Sequence, residues 1–214
     1  MERILHPMDH KQAVMKVCLL MCHMKGACMN IRDLPFNMSY RFNEKLREVP
    51  VNPNQMKQGI IYLKKRALEE EDECAAAKTY GHIGVYERIL GELTSSERHL
   101  QLAIYLYDRH ADTIGEFLNT IRLGHTYHWQ EQWDKANETF QLLIEQLKAD
   151  EDLHIYEDFV YQHYGKCLLD QRVVSRAHHY FQRALEIRLK KGDKELIEST
   201  NSCIRLCLNK LKHS

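Results

Sequence analysis

The residues best equipped for chemistry crowd the start of the chain: Met8, His10, Met15, Cys18, Met21, Cys22, His23, Met24, Cys28 and Met29. Thiolate and thioether groups are soft ligands suited to copper(I) or zinc. Cys18 and Cys22 stand four apart, so on a helix they share a face. No CxxC or CxxH pair with the spacing of a metal site accompanies them. Met and Cys also fill irregular cores and make adaptable partner surfaces. Packing is therefore the expected role, no metal ligand is assigned, and soft-metal binding is the lesser alternative. Thirteen histidines invite a search for catalysis. His125 and His128 lie three apart beside Trp129, and His178 adjoins His179. Neither pair sits in HExxH spacing or beside a nucleophile in recognisable context. Gly81-His82-Ile83-Gly84 is not followed by the Lys-Ser/Thr of a phosphate loop. The expectation is a non-enzyme without a cofactor, whose histidines lie on a surface or groove and bring some pH sensitivity. The acidic run Glu69-Glu70-Glu71-Asp72-Glu73 reads as a solvated helix junction, its later acids favouring the N-terminus of the next helix.

The elements that position these residues are helical. Thirty basic residues balance thirty acidic ones, which argues against a dedicated nucleic-acid binder that must neutralise phosphates. With 44% hydrophobic residues the chain can bury a core. Pro35, Pro50 and Pro53 fall in one stretch, and no proline follows Pro53, which suits a long run of helices. The seven cysteines are odd in number and scattered, as expected in a reducing cytoplasm. The apolar run Val17–Cys22 is too short for a signal peptide, and no stretch approaches the ~20 apolar residues that span a bilayer. A cytoplasmic protein with no membrane association is expected.

Self-comparison exposes a repeat. Ile83-Gly84, Leu123-Gly124 and Tyr164-Gly165 recur at offsets of 40 and 41 residues. Twelve residues after each glycine stands a small residue (Ser96, Ala136, Ala177), then Leu100, Phe140 and Phe181, then Ala103, Leu143 and Ala184. Asp72, Asp112 and Asp152 precede the glycines by a similar distance. The small, large and apolar positions share one helical face. The glycine removes a side chain where a neighbouring helix must approach. No single helix pair buries both its faces, so the pairs must stack.

Helices are expected near 73–91, 95–109, 112–130, 133–148, 152–170, 174–190 and 194–211. Thr94-Ser95-Ser96-Glu97 reads as a capping box, and Gly192-Asp193 as a stop followed by a new N-cap. Met56, Ile60 and Leu63 match Ser96, Leu100 and Ala103, so 54–71 is the second helix of a decayed repeat. The division is an apolar helix (9–29) and a Pro- and Asn-containing connector within 1–53, repeats over 54–192, and a capping helix over 193–214.

The pattern resembles the tetratricopeptide repeat (TPR) family in its longer-repeat variety. Leu123-Gly124, Tyr127, Ala136 and Phe140 match best; Glu87, Ser96 and Leu100 depart from the pattern, and the usual final proline is absent. The resemblance covers about residues 73–192. It implies an all-α solenoid of antiparallel helix pairs, a TPR-like superhelix sealed by a C-terminal capping helix. It also implies a concave face lined by the first helix of each pair. There the family's binding positions fall on Lys78, His82, Val85 and Arg88, on Leu118, Ile121, Arg122, His125, His128 and Trp129, and on Phe159, Gln162, His163 and Lys166. Of these, Lys78, Arg88, Leu118, Arg122, His125, Trp129, Phe159, Gln162, His163 and Lys166 are the candidate partner- or peptide-binding residues. The family's carboxylate clamp for chaperone tails is missing, because Gly81, Val85 and Phe159 replace clamp residues.

The function so implied is an adaptor or scaffold that binds a peptide or helix of a partner protein. Binding would stack the ligand on Trp129 and Phe159, with Arg122, His125 and Lys166 fixing polar groups. The alternatives are a small-peptide sensor of the Rap/PlcR type and, from another class, soft-metal handling by the N-terminal helix. Homo-oligomerisation through the N-terminal helix and the decayed repeat is also open.

Overall fold

The structure, a computed structural model, describes residues 34–212. The expected apolar helix over 9–29, with its Met, Cys and His residues, lies outside the described residues. Those described form an all-α stack with one small sheet. Helices α1 (Pro53–Glu69), α2 (Glu73–Leu90), α3 (Leu93–Arg109), α4 (Thr113–Trp129) and α5 (Trp133–Ala149) lead to a 3-10 turn (Glu151–Tyr156). Then come α6 (Glu157–Asp170), α7 (Val174–Lys191) and α8 (Lys194–Lys212). Consecutive helices pack together. The helices α2, α4 and α6 also touch one another in sequence, and α6 touches α8. They form the inner layer of a helical solenoid, with α3, α5 and α7 outside.

The repeat spacing sets this packing. Ser96, Leu100, Ala103, Ala136, Phe140, Leu143, Ala177, Phe181 and Ala184 are all at 0% exposure. The large residue of each trio faces the glycine of its own pair. A Cβ on Gly84 would lie 2.5 Å from Leu100 Cγ, and one on Gly165 would lie 2.7 Å from Phe181 Cε1. The large residue of the second helix thus fills the space that the glycine leaves. Met56, Ile60 and Leu63 are buried in the same way on α1, where they share a core with Leu34, Met38, Tyr40, Ile83 and Tyr86. The second, larger core runs from Leu100 to Cys207.

Helix ends follow local chemistry. Asn52 accepts from the Gln55 N–H, with Pro53 opening α1. Asp72 and Asp112 accept from the N–H groups of Cys74 and Gly115. Gly91 and Gly192 end α2 and α7 with φ of 82° and 74°, and Asp193 accepts from Glu195 and Leu196 to start α8.

Three expectations need correction. The Thr94–Glu97 capping box does not form: Glu92 is the N-cap of α3 and makes no side-chain cap bond. The Ser95 and Ser96 hydroxyls bond instead to Glu87 Oε1 and the Gly84 carbonyl on α2, so they hold helices together rather than cap one. The expected helix at 152 begins as the 3-10 turn, capped by Asp150. The third correction is within the connector, where Tyr40–Phe42 (β1) and Glu48–Pro50 (β2) pair as an antiparallel hairpin in the register Tyr40↔Pro50, Arg41↔Val49, Phe42↔Glu48. Among the described residues, no helix is long and apolar enough to cross a membrane.

Candidate functional site: an inner helix layer holding a hairpin

The C-terminal turns of α2 and α4 and the second half of α6 bring Arg88, then His125, His128 and Trp129, then His163, Lys166 and Asp170 side by side. Helix C-termini carry partial negative charge, so the cation Arg88 suits the last turn of α2. Over this floor lies the hairpin. Its tip is a tight turn in which Leu46 N–H donates to the Asn43 carbonyl, and Asn43 Oδ1 accepts from the N–H groups of Lys45 and Arg47. Leu46 takes φ 57°, a left-handed conformation costing a non-glycine residue about 1–2 kcal/mol.

Side-chain contacts tie hairpin to floor. Arg88 Nη1 and Nη2 donate to Glu48 Oε2 and Oε1 at 3.0 and 3.3 Å, with both side chains nearly buried. Lys166 Nζ donates to the Leu46 carbonyl at 3.1 Å and lies 5.0 Å from the Phe42 ring. Arg47 Nη2 donates to Asp170 Oδ2, which also accepts from His128 Nε2, each at 2.9 Å. The Arg88 and Arg47 guanidiniums stand 4.8 and 5.4 Å from the Trp129 ring, at cation–π distance. Beneath them, Trp129 Nε1 donates to His125 Nε2 at 3.0 Å, which leaves the His125 proton on Nδ1. The His125 and His163 rings are 4.3 Å apart.

The electrostatics follow from burial. Desolvation alone would raise the Glu48 carboxyl, but Arg88 and Lys166 override it and hold its pKa at about 2. Asp170 likewise stays at about 2 against burial, through its bonds from His128 and Arg47. Burial pushes His125 and His163 well below the usual histidine value, helped by Arg88 and Lys166. His128 is lowered by burial too, with Asp170 opposing. The floor is thus two cations, neutral imidazoles and an indole around one buried carboxylate.

The fit is incomplete. Arg47 Nε, Arg88 Nε, His128 Nδ1 and His163 Nδ1 are buried without a hydrogen-bond partner among the described residues. Each such group costs about 1–3 kcal/mol.

Of the ten sequence-derived candidates, Arg88, His125, Trp129, His163 and Lys166 meet beneath the hairpin. Lys78, Leu118 and Arg122 lie nearer the start of the inner layer. There Arg122 Nη1 donates to Asn119 Oδ1 at 2.9 Å, and His82 is lowered by burial, Arg122 and Lys78. Phe159 and Gln162 face the other end. Arg188 lies 5.4 Å from the Phe159 ring, and Gln162 Nε2 donates to Cys203 Sγ at 3.2 Å. Both aromatic rings of the expected stacking pair lie against arginines of this chain, Trp129 against Arg47 and Arg88 and Phe159 against Arg188.

Sequence reasoning missed Glu48, Arg47, Leu46 and Asp170. The available signal was Tyr40 and Phe42 alternating ahead of Asn43, a strand entering an Asx turn. A concavity of about 490 Å³ between α5, α6 and α7 includes Tyr161, Tyr180 and Arg183. Its polar groups already serve one another: the Tyr161 hydroxyl donates to Glu157 and accepts from Arg183. Among the described residues no group of three or more His, Cys, Asp or Glu side chains could hold a metal. Set against family models and against curated proteins, the chain matches none.

Proposed function

We propose that the chain is a protein-interaction module of the tetratricopeptide kind whose concave groove binds a polypeptide segment of a partner. The observation that carries this reading is the hairpin: the floor already holds a length of polypeptide by a guanidinium–carboxylate fork, an ammonium–carbonyl bond and the cation–π contacts Arg47–Trp129 and Lys166–Phe42. Forked arginines and aromatic anchors are what protein-binding surfaces use. The balanced charge and the lack of a recognisable nucleophile motif also support adaptor work by a helical stack.

The test is a peptide array probed with the purified full chain and with a Trp129→Ala, Lys166→Ala double variant, with hits remeasured by fluorescence anisotropy. Sequences bound by the first and lost by a folded second support the groove as the site. Equal binding by both places the site elsewhere, and an array without hits speaks against peptide recognition.

A further inference from the structure

The hairpin shares features with a ligand rather than with the solenoid that it covers. Its strands pair only with each other among the described residues, so no backbone ladder joins it to the helices. Its tip is held by side chains and by one carbonyl, that of Leu46. Four of the buried polar atoms without a partner, on Arg47, Arg88, His128 and His163, lie in this one contact. The tip is strained at Leu46 (φ 57°), and strain of this kind gathers at clamps and switches. Phe42 and Val51 remain 42% and 53% exposed although the hairpin is docked. The base of the hairpin differs: Leu34, Met38 and Tyr40 are buried in the core of α1 and α2. A lifted tip would therefore stay tethered at the mouth of the groove.

Resting on the peptide-groove reading, we infer that residues 41–50 are an intramolecular stand-in for the partner segment. The true ligand is a polypeptide segment that offers an aspartate or glutamate carboxylate to Arg88 and a main-chain carbonyl to Lys166, and it binds by displacing the hairpin tip. Charge complementarity selects this class. Once the tip is lifted, the exposed cations are Arg88 and Lys166, and Asp170 at the rim is turned toward His128. An acidic segment restores the charge that Glu48 supplies, whereas a basic one meets two cations. Tethering makes the hairpin a competitor at high effective concentration, so the affinity measured for an external segment is its intrinsic affinity multiplied by the fraction of molecules with the groove open.

The experiment uses the full chain and a fluorescent peptide with the sequence of residues 39–51. Wild type is expected to bind it weakly. Glu48→Ala should bind about ten-fold or more tightly, as the open fraction rises, and amide exchange over 41–50 should accelerate in step. A peptide with glutamine in place of the glutamate corresponding to Glu48 should lose that gain. Arg47→Ala, which removes the hairpin's partly exposed contact to Asp170 and leaves the floor intact, should move both readouts the same way by less, and it carries the test if Glu48→Ala does not fold. If exchange over 41–50 stays slow in both variants and affinity is unchanged, the hairpin is a fixed part of the fold and the inference falls, while array hits sensitive to Trp129 would leave the groove reading standing. If the tip is released and neither this peptide nor any array sequence binds, the groove reading itself falls.

Discussion

Two buried arginines, Arg88 and Arg188, show how differently this fold uses the same side chain. Arg188 sits at the junction of the last helices. Its Nε donates to Asp158 on α6 at 2.8 Å, and its Nη1 to the Leu196 carbonyl and Thr200 Oγ1 on α8 at 3.2 and 2.8 Å. Lys191 adds a second cation to Asp158. Arg88 is as buried, but its partner Glu48 comes from a hairpin outside the stack, and its Nε has none. A buried charge satisfied on every side by rigid helices fixes geometry. One satisfied by a movable segment can exchange partners, since removing the segment readmits water to the arginine.

The comparison can be broken first at its strong end. Arg188→Ala leaves Asp158 with Lys191 alone and opens a hole between α7 and α8, so a loss of about 3–5 kcal/mol in urea unfolding is expected. The matched change Arg88→Ala should cost only about 1–2 kcal/mol, because its partner Glu48 can leave with the tip and be solvated. Equal costs would mean that the two arginines do the same structural job.

Acid sharpens the contrast next. His82, His125, His128 and His163 have folded values below the ordinary 6.5. Their contribution to stability is therefore complete above about pH 6.5 and is lost as pH falls through it. Each can cost up to about 1.4 kcal/mol per pH unit. Glu48 and Asp170, held at about 2, lose their contributions only below their ordinary values of 4.5 and 3.8. A fall in Tm from pH 7 to 5.5 is thus expected to come from the histidines, and a His125→Gln, His163→Gln variant should flatten it.

The smallest effect concerns the turns. Gly91, Glu131 and Arg172 occupy equivalent places after α2, α4 and α6, all with positive φ. Glu131→Gly should gain about 0.5–1 kcal/mol by removing the left-handed penalty, without moving the affinity of the groove for any peptide. A shift in affinity would tie this turn to the site.

The stack was legible because its signal is steric and periodic. A glycine must face Leu100, Phe140 or Phe181, and the 40- and 41-residue spacing repeats that demand. The same sequence hid the left-handed turns, since glycine marks only the first of the three. It also hid the hairpin, because Pro35, Pro50 and Pro53 make the segment read as a connector and nothing in it repeats. The tetratricopeptide resemblance put Arg88, His125, Trp129, His163 and Lys166 on the first helices of the pairs, which are α2, α4 and α6. It could not reveal that Glu48, forty residues before Arg88, would be the group they surround, because an ion pair between segments leaves no periodic trace. Nor could it show that Phe159 would be covered by Arg188 rather than open to a ligand.

A solenoid of helix pairs is a one-dimensional object in which each pair feels only its neighbours, and such stacks can fray from an end. The hairpin interrupts that simplicity. Through Arg47 to Asp170 and Leu46 to Lys166 it bridges 123 and 120 residues of chain, joining the segment before α1 to α6. A docked tip therefore adds contacts of the longest range, which slow folding but couple the early pairs to the late ones. Melting should be a single transition while the tip is docked, and should broaden or split into separate steps once it is displaced, so the occupancy of the groove would be written in the cooperativity of unfolding.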